Sequence, residues 1–163
     1  MRQADIGLRV WRAAGRNVMA KVEAIPRGWS TITPSLVVKD AEEALAFYKK
    51  AFGIEERMVI RNPEGRFLHA ELALGNSVFM LGQSMENYPD TATNLYVYVN
   101  DCDLAFNRAL AAGGKAKTAP QDGFWGDRYG QLEDGFGNLW TVATHKEDVS
   151  PEEMRRRAIE AMR

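Results

Sequence analysis

The sequence predicts an α+β fold made of two tandem βαβββ units, and three observations carry that prediction. First, the chain repeats itself: Val38 to Leu45 and on through Gly53 lines up with Val99 to Phe106 and on through Gly114, with Asp40 and Asp101 lying 61 residues apart. Further on, Arg66 to Glu71 aligns with Arg128 to Glu133, and Gly75-Asn76 with Gly137-Asn138, at a spacing of 62. A one-residue drift across a whole unit is a single loop insertion, and self-similarity at such a period marks a repeated supersecondary unit. Second, each copy opens its helical stretch with an aspartate and closes it with glycine. Third, short β-branched and apolar runs separated by Gly, Pro and Asn follow each helix.

In the first unit, Ile32 to Val38 reads as a strand, and Pro34 places it at an edge or a strand start. Asp40 is a helix N-cap, with Glu43 three residues on completing a capping box. Ala44, Leu45, Phe47, Tyr48, Ala51 and Phe52 follow at helical spacing, and Gly53 supplies the left-handed stop. Glu56 to Arg61 is a strand, Asn62-Pro63-Glu64-Gly65 reverses the chain into Arg66 to Leu74, and Gly75-Asn76 turns it into Ser77 to Leu81.

The second unit repeats this order with Leu95 to Val99, a helix over Cys102 to Ala112, strands near Lys115 to Thr118 and Arg128 to Glu133, and a last strand over Leu139 to His145. Pro120 to Asp127 is expected to be a polar and aromatic loop where the first unit has only a tight turn. Ser150, Pro151 and Glu153 open a final helix whose Met154, Ala158, Ile159 and Met162 form one stripe, read as docking on the body or on a partner subunit. The expected organisation is an N-terminal extension (1–28), a double-unit domain (29–146, with units 30–90 and 91–146) and a C-terminal helix (147–163).

Composition narrows the function classes. The chain has 163 residues, 45% of them apolar, enough for one compact core. With 21 basic and 22 acidic residues there is no chain-wide field to hold nucleic acid or an anionic membrane. The extension is locally basic, but Arg9 and Arg12 interrupt its only apolar run, against a secretory signal. It reads equally as an accessory arm, an Arg-rich targeting peptide, or sequence ahead of a start at Met19. No apolar run approaches the ~18 residues of a membrane span, so the expected location is the cytoplasm. The single cysteine, Cys102, excludes an intramolecular disulfide and reads as a small helix residue rather than a nucleophile.

The phrases Thr33 to Asp40, Phe47-Tyr48 before Phe52-Gly53, and Asp134-Gly135-Phe136-Gly137-Asn138-Leu139-Trp140 resemble the vicinal oxygen chelate superfamily, which holds glyoxalase I, extradiol dioxygenases, fosfomycin-resistance enzymes and bleomycin-resistance binding proteins. The resemblance spans roughly residues 29–145. Gly126-Asp127-Arg128 and Trp140 to His145 are similar to its glyoxalase/bleomycin-resistance-like branch. It implies curved mixed sheets around a cup. It also implies, for the metal enzymes, two ligands from each unit, near the start of its first strand and on its last, filled by His, Glu or Gln. The corresponding positions here are Thr33, Asn94, Met80 (or Phe79) and Val142, none of which is an imidazole or carboxylate. No metal residue is therefore assigned.

Candidate site residues fall in two groups. His69 and Glu71 lie two apart on one strand and share a face, so the imidazole can act as a general base with Glu71 setting its tautomer. Glu133 holds the place of Glu71 in the second unit, with Gln131 in place of the histidine. The two carboxylates form a candidate acid/base pair, or face solvent and pair with Arg66 and Arg128. Phe124, Trp125, Tyr129 and Trp140 gather around Arg128, a set suited to stacking on a planar or anionic ligand. Trp140, flanked by Leu139 and Val142 inside a strand, reads also as core. Asp127 reads as a partner of Arg128, and His145 as a solvated strand end.

The expectation is a metal-independent small-molecule binding protein of the bleomycin-resistance kind, acting as a homodimer. The alternatives are a lyase, isomerase or dioxygenase of the glyoxalase type, using a divalent ion or His69 alone, and an interaction module with a vestigial site.

Overall fold

The computed structural model describes residues 22–162. The basic stretch up to residue 21, with Met19 and the targeting reading, lies outside the described residues. The order is β1 (Ser35–Val38), α1 (Ala41–Phe52), β2 (Glu55–Arg61), β3 (Phe67–Leu74), β4 (Ser77–Gln83), β5 (Asn94–Tyr98), α2 (Cys102–Ala112), β6 (Lys115–Asp122), β7 (Asp127–Glu133), β8 (Leu139–His145) and α3 (Pro151–Ala161). This is βαβββ twice, in two four-stranded mixed sheets ordered β1-β4-β3-β2 and β5-β8-β7-β6. The first strand of each unit runs parallel to the last, and the remaining neighbours are antiparallel.

Both first helices start as their residues dictate. The Asp40 carboxylate accepts from the Glu43 N–H and the Asp101 carboxylate from the Leu104 N–H, satisfying donors that a helix start leaves orphaned. Gly53 closes α1 at φ 71°. Two boundaries differ from expectation by three residues or more. β1 begins at Ser35 rather than at Ile32, because Pro34 has no N–H to give a ladder. β6 runs on to Asp122, so the loop expected over residues 120–127 shrinks to 123–126.

One face of each sheet packs on helices. Leu36, Val38, Ala70, Leu72 and Leu81 are fully buried with α1, while Leu132, Trp140 and Val142 form one continuous core with α2. α2 crosses β7 closely: a Cβ on Gly130 would lie 2.9 Å from the Phe106 ring. The halves meet through α1, α2 and a buried polar node. Asp134 accepts from Tyr48 Oη (2.7 Å), Asn138 Nδ2 (2.8 Å), Trp140 Nε1 (3.1 Å) and the N–H groups of Phe136 and Asn138. Tyr48 belongs to unit one and the other partners to unit two, so the node bridges the repeat. Burial, with Asp134 alongside, pushes the Tyr48 phenol well above its ordinary value. Cys102 is a packed helix residue, its Sγ donating to the Val142 carbonyl, and burial raises its thiol. α3 has no fully buried residue; of its stripe, Met154 and Ala158 are half-buried and Ile159 and Met162 exposed.

Candidate functional site

The face of each sheet turned away from its helix is open, and the candidate residues divide between the two. On unit one, His69 stands opposite Ile60 and Gly82, and Glu71 opposite Met58 and Met80. Neighbouring Ala70 and Leu72 point into the core, so His69 and Glu71 share the open face, as their spacing requires.

Unit two does not repeat that placement. With the repeats anchored on the caps Asp40 and Asp101, Glu71 faces Met80 where Gln131 faces Thr141, and His69 faces Gly82 where Tyr129 faces Ala143. Glu133 is therefore not the counterpart of Glu71, and the alignment is two residues out along this strand. The physical reason is the hairpin: residues 134–138 separate β7 from β8, where only Gly75-Asn76 separates β3 from β4. Glu133 stands at the hairpin end, ion-paired with Lys117 at 3.0 Å, in a different sheet from Glu71.

The densest polar cluster on either open face is one that sequence reasoning missed. Asp127, at the start of β7, is only 2% exposed. Its Oδ2 accepts from Tyr96 Oη (2.8 Å), Tyr98 Oη (3.0 Å) and Trp125 Nε1 (3.1 Å), and its Oδ1 lies 2.8 Å from His145 Nδ1. Four donors from β5, the 123–126 loop and the end of β8 thus converge on one carboxylate. Burial alone would raise the Asp127 pKa, but the bonds from His145, Tyr96, Tyr98 and Trp125 outweigh it and hold the group below its ordinary value. Burial, aided by Asp127, pushes Tyr96 up to about 12. His145 Nε2 meets the exposed Asp148 at 3.0 Å, so the bonds to Asp127 and then Asp148 raise the imidazole pKa. The alternating Tyr-x-Tyr of β5 signals a shared face; nothing local links it to Asp127, about 30 residues on.

This coupling has a measurable sign. A histidine raised in the folded state contributes stability that is fully present below its unfolded pKa of about 6.5 and is lost as pH rises through the folded value. Asp127, held low, contributes stability present above its unfolded pKa and lost as pH falls through the lower folded one. In an NMR titration, the His145 midpoint is expected above the ordinary histidine value and to fall back toward it in Asp127→Asn. An unmoved midpoint would refute the pairing.

Beside this cluster stands an aromatic wall. The Trp125 ring lies 4.7 Å from Tyr129 and 5.0 Å from Phe124, while Tyr96 and Tyr98 stand 5.3 Å apart. Gly126 sets the loop: it has φ 95°, and a Cβ there would come within 2.2 Å of the Glu147 carbonyl oxygen. Phe124, Trp125 and Tyr129 therefore do come together. Two expected members do not join them. Arg128 projects to the other side of β7, where Asp103 of α2 and Asp122 hold its guanidinium and raise its pKa. Alternation along the strand forces this, because its neighbours Asp127 and Tyr129 point to the open face. Trp140, 1% exposed, stacks on Phe52 at 4.4 Å and donates to Asp134, so it packs in the core and reaches only the floor of the cavity along β5.

The inherited coordination points fare similarly. On β4 the open-face residue is Met80, since Phe79 packs in the core; on β8 it is Thr141, since Val142 is fully buried on the helix side. The Thr141 hydroxyl accepts from Gln131, which accepts from Thr118. Thr33, Met80, Asn94 and Thr141 supply no imidazole or carboxylate, and among the described residues no group of three or more His, Cys, Asp or Glu side chains is arranged to hold a metal ion. This donor set does not fit the ion of the superfamily's metal enzymes.

A cavity of about 690 Å³ runs along β5, with Tyr96 and Tyr98 on one side and the Leu74–Phe79 turn of unit one on the other. Residues 31–142 match the family described as the Glyoxalase/Bleomycin resistance protein/Dioxygenase superfamily. The chain belongs to that superfamily. Within it, uncharacterised proteins of Mycobacterium bovis and Mycobacterium tuberculosis are each 36% identical over 134 residues, covering 76% of this chain and 88% and 79% of theirs. Among solved structures, TioX from Micromonospora sp. ML1 is similar at a TM-score of 0.63 and 28% identity, over 71% of this chain and 98% of that one. A superfamily protein from Nocardioides has a TM-score of 0.55 at 20% identity, over 75% and 87% of the two chains, a likeness of fold alone. No described helix is long and apolar enough to cross a membrane.

Proposed function

We propose that this superfamily member is a metal-independent small-molecule binding protein that holds a planar or amphipathic compound against the unit-two face. One observation carries the reading: buried Asp127 binds Tyr96, Tyr98, Trp125 and His145 at once, fixing an aromatic platform before any ligand arrives. Pre-ordered rings lose little conformational freedom on binding, which is what a sequestering site needs. The chemistry of Thr33, Met80, Asn94 and Thr141 supports binding without an ion.

A homodimer is part of the proposal. Each chain carries two open sheet faces with exposed apolar side chains, among them Met58 and Ile60 on unit one and Tyr98, 64% exposed, on unit two. A second copy setting its unit-one face against unit two would close a cup around both. A reducing cytoplasmic setting suits the lone buried Cys102.

The second reading is a proton-transferring enzyme of the lyase or isomerase kind. It is favoured by His145, whose Nδ1 is engaged by buried Asp127 and whose Nε2 meets only an exposed partner. A thermal-shift screen over planar antibiotics and 2-oxo compounds separates the two. A ligand at ~100 times its Kd stabilises by about 2.7 kcal/mol. Binding is expected for planar compounds without turnover, and Trp125→Ala should weaken it about tenfold, on the scale of one aromatic contact. Conversion of a 2-oxo compound would move the assignment to the enzyme; no stabilisation by any compound would end the binding reading.

A further inference from the structure

The superfamily match begins at residue 31, yet the segment just before it is placed on the open face of unit one. Gly28 turns the chain at φ 78°, the Trp29 N–H donates to the Pro26 carbonyl at 3.1 Å, and Thr33 Oγ1 donates to the Ser30 carbonyl at 3.0 Å. These local bonds shape residues 26–33 into a compact hook. Its tie to the body is Arg57 of β2, whose Nη1 donates to the Gly28 carbonyl at 3.3 Å and whose guanidinium lies 5.4 Å from the centre of the Trp29 ring. Under the hook is a cavity of about 560 Å³, with Ile25, Pro26 and Trp29 on one side and Glu71 and Met80 on the other.

Among the described residues the segment is thus held by few contacts. Ile25 is 46% exposed, and a single long hydrogen bond with one exposed cation–π contact amounts to a weak clasp. Elements with few buried contacts open at low free energy while the body stays folded.

We propose that residues 22–33 form a strap across the unit-one face, latched by Arg57 on Gly28 and Trp29, which controls access to Glu71 and Met80. Closed, it roofs that half of the prospective cup; open, it leaves the unit-two platform unchanged. Access to the first face is set by the clasp, independently of what binds the second.

Methionine oxidation by dilute peroxide, followed by peptide mass spectrometry on the full-length protein, tests this without any ligand. Its outcome is therefore separable from that of the binding reading. Met85, 60% exposed and away from the strap, is the internal reference. Arg57→Ala and Trp29→Ala should each raise the Met80 rate about fivefold relative to Met85, as expected for release of a weak local closure. Gly28→Val, which is strained at φ 78° and whose first added carbon would lie 3.3 Å from the Arg57 guanidinium, disturbs only the strap and should act alike. Equal Met80-to-Met85 ratios in wild type and all three variants, with far-UV circular dichroism unchanged, would overturn the proposal. So would a wild-type Met80 that already oxidises as fast as Met85.

Discussion

Asp134→Ala is expected to destabilise the protein by about 3 to 5 kcal/mol, the range for removing one partner from a buried charged network. The carboxylate has five donors, and two of them, Tyr48 Oη and Trp140 Nε1, belong to buried rings beside Phe136 and Phe52. Alanine leaves those groups buried without the acceptor that satisfies them. For a chain of this length, the loss corresponds to a fall in Tm of about 6 to 20 °C. Tyr48→Phe, which removes one donor and keeps the ring, should cost only about 1 kcal/mol. Thermal unfolding of both variants checks the pair. Similar losses would mean that the single Tyr48 hydroxyl bond, not the carboxylate's hold on all five donors, carries the node.

The second large effect is expected at Asp127. Asp127→Ala frees Tyr96, Tyr98, Trp125 and His145 together, but these side chains reach solvent and can bond to water, so stability should drop by only about 1 to 2 kcal/mol. Order is what suffers. The near-UV circular dichroism of the Trp125 region should weaken, and stabilisation by planar compounds found in the thermal-shift screen should fall at least tenfold in affinity, since rotamers now free must be ordered on binding. Asp127→Asn keeps the size and two acceptor lone pairs, and should fall between. An alanine variant that binds as well as wild type would show the platform to be dispensable.

Most of the fold was legible from the residues alone because its signals are local. Asp40, Gly53, Asp101 and Pro151 punctuate the helices at the positions seen, and the α2 and β8 limits agree residue for residue. The site was less legible, for two reasons. Side-chain direction along β7 depends on register, and register was set by a hairpin whose length differs between repeats. That shift put Glu133 with a carboxylate it does not match, while Arg128 is turned from its aromatic neighbours by strand alternation alone. The Asp127 cluster is assembled from three separate stretches, so no local spacing announces it; Asp127 looked like a partner for the adjacent arginine, and His145 like a frayed end. Trp140 carried both readings in sequence, and burial selects the core.

The crossing of Tyr48 into the Asp134 node bears on how a duplicated chain of this kind can change. A half ending before β5 would strand a phenol and the apolar ring edges around it, and a half beginning there would keep a carboxylate short of a donor and a tryptophan facing water. Neither piece is self-sufficient, so the two copies must melt as one body. Divergence is accordingly free at the rims, where one copy holds a histidine and the other a tyrosine, and constrained at the seam.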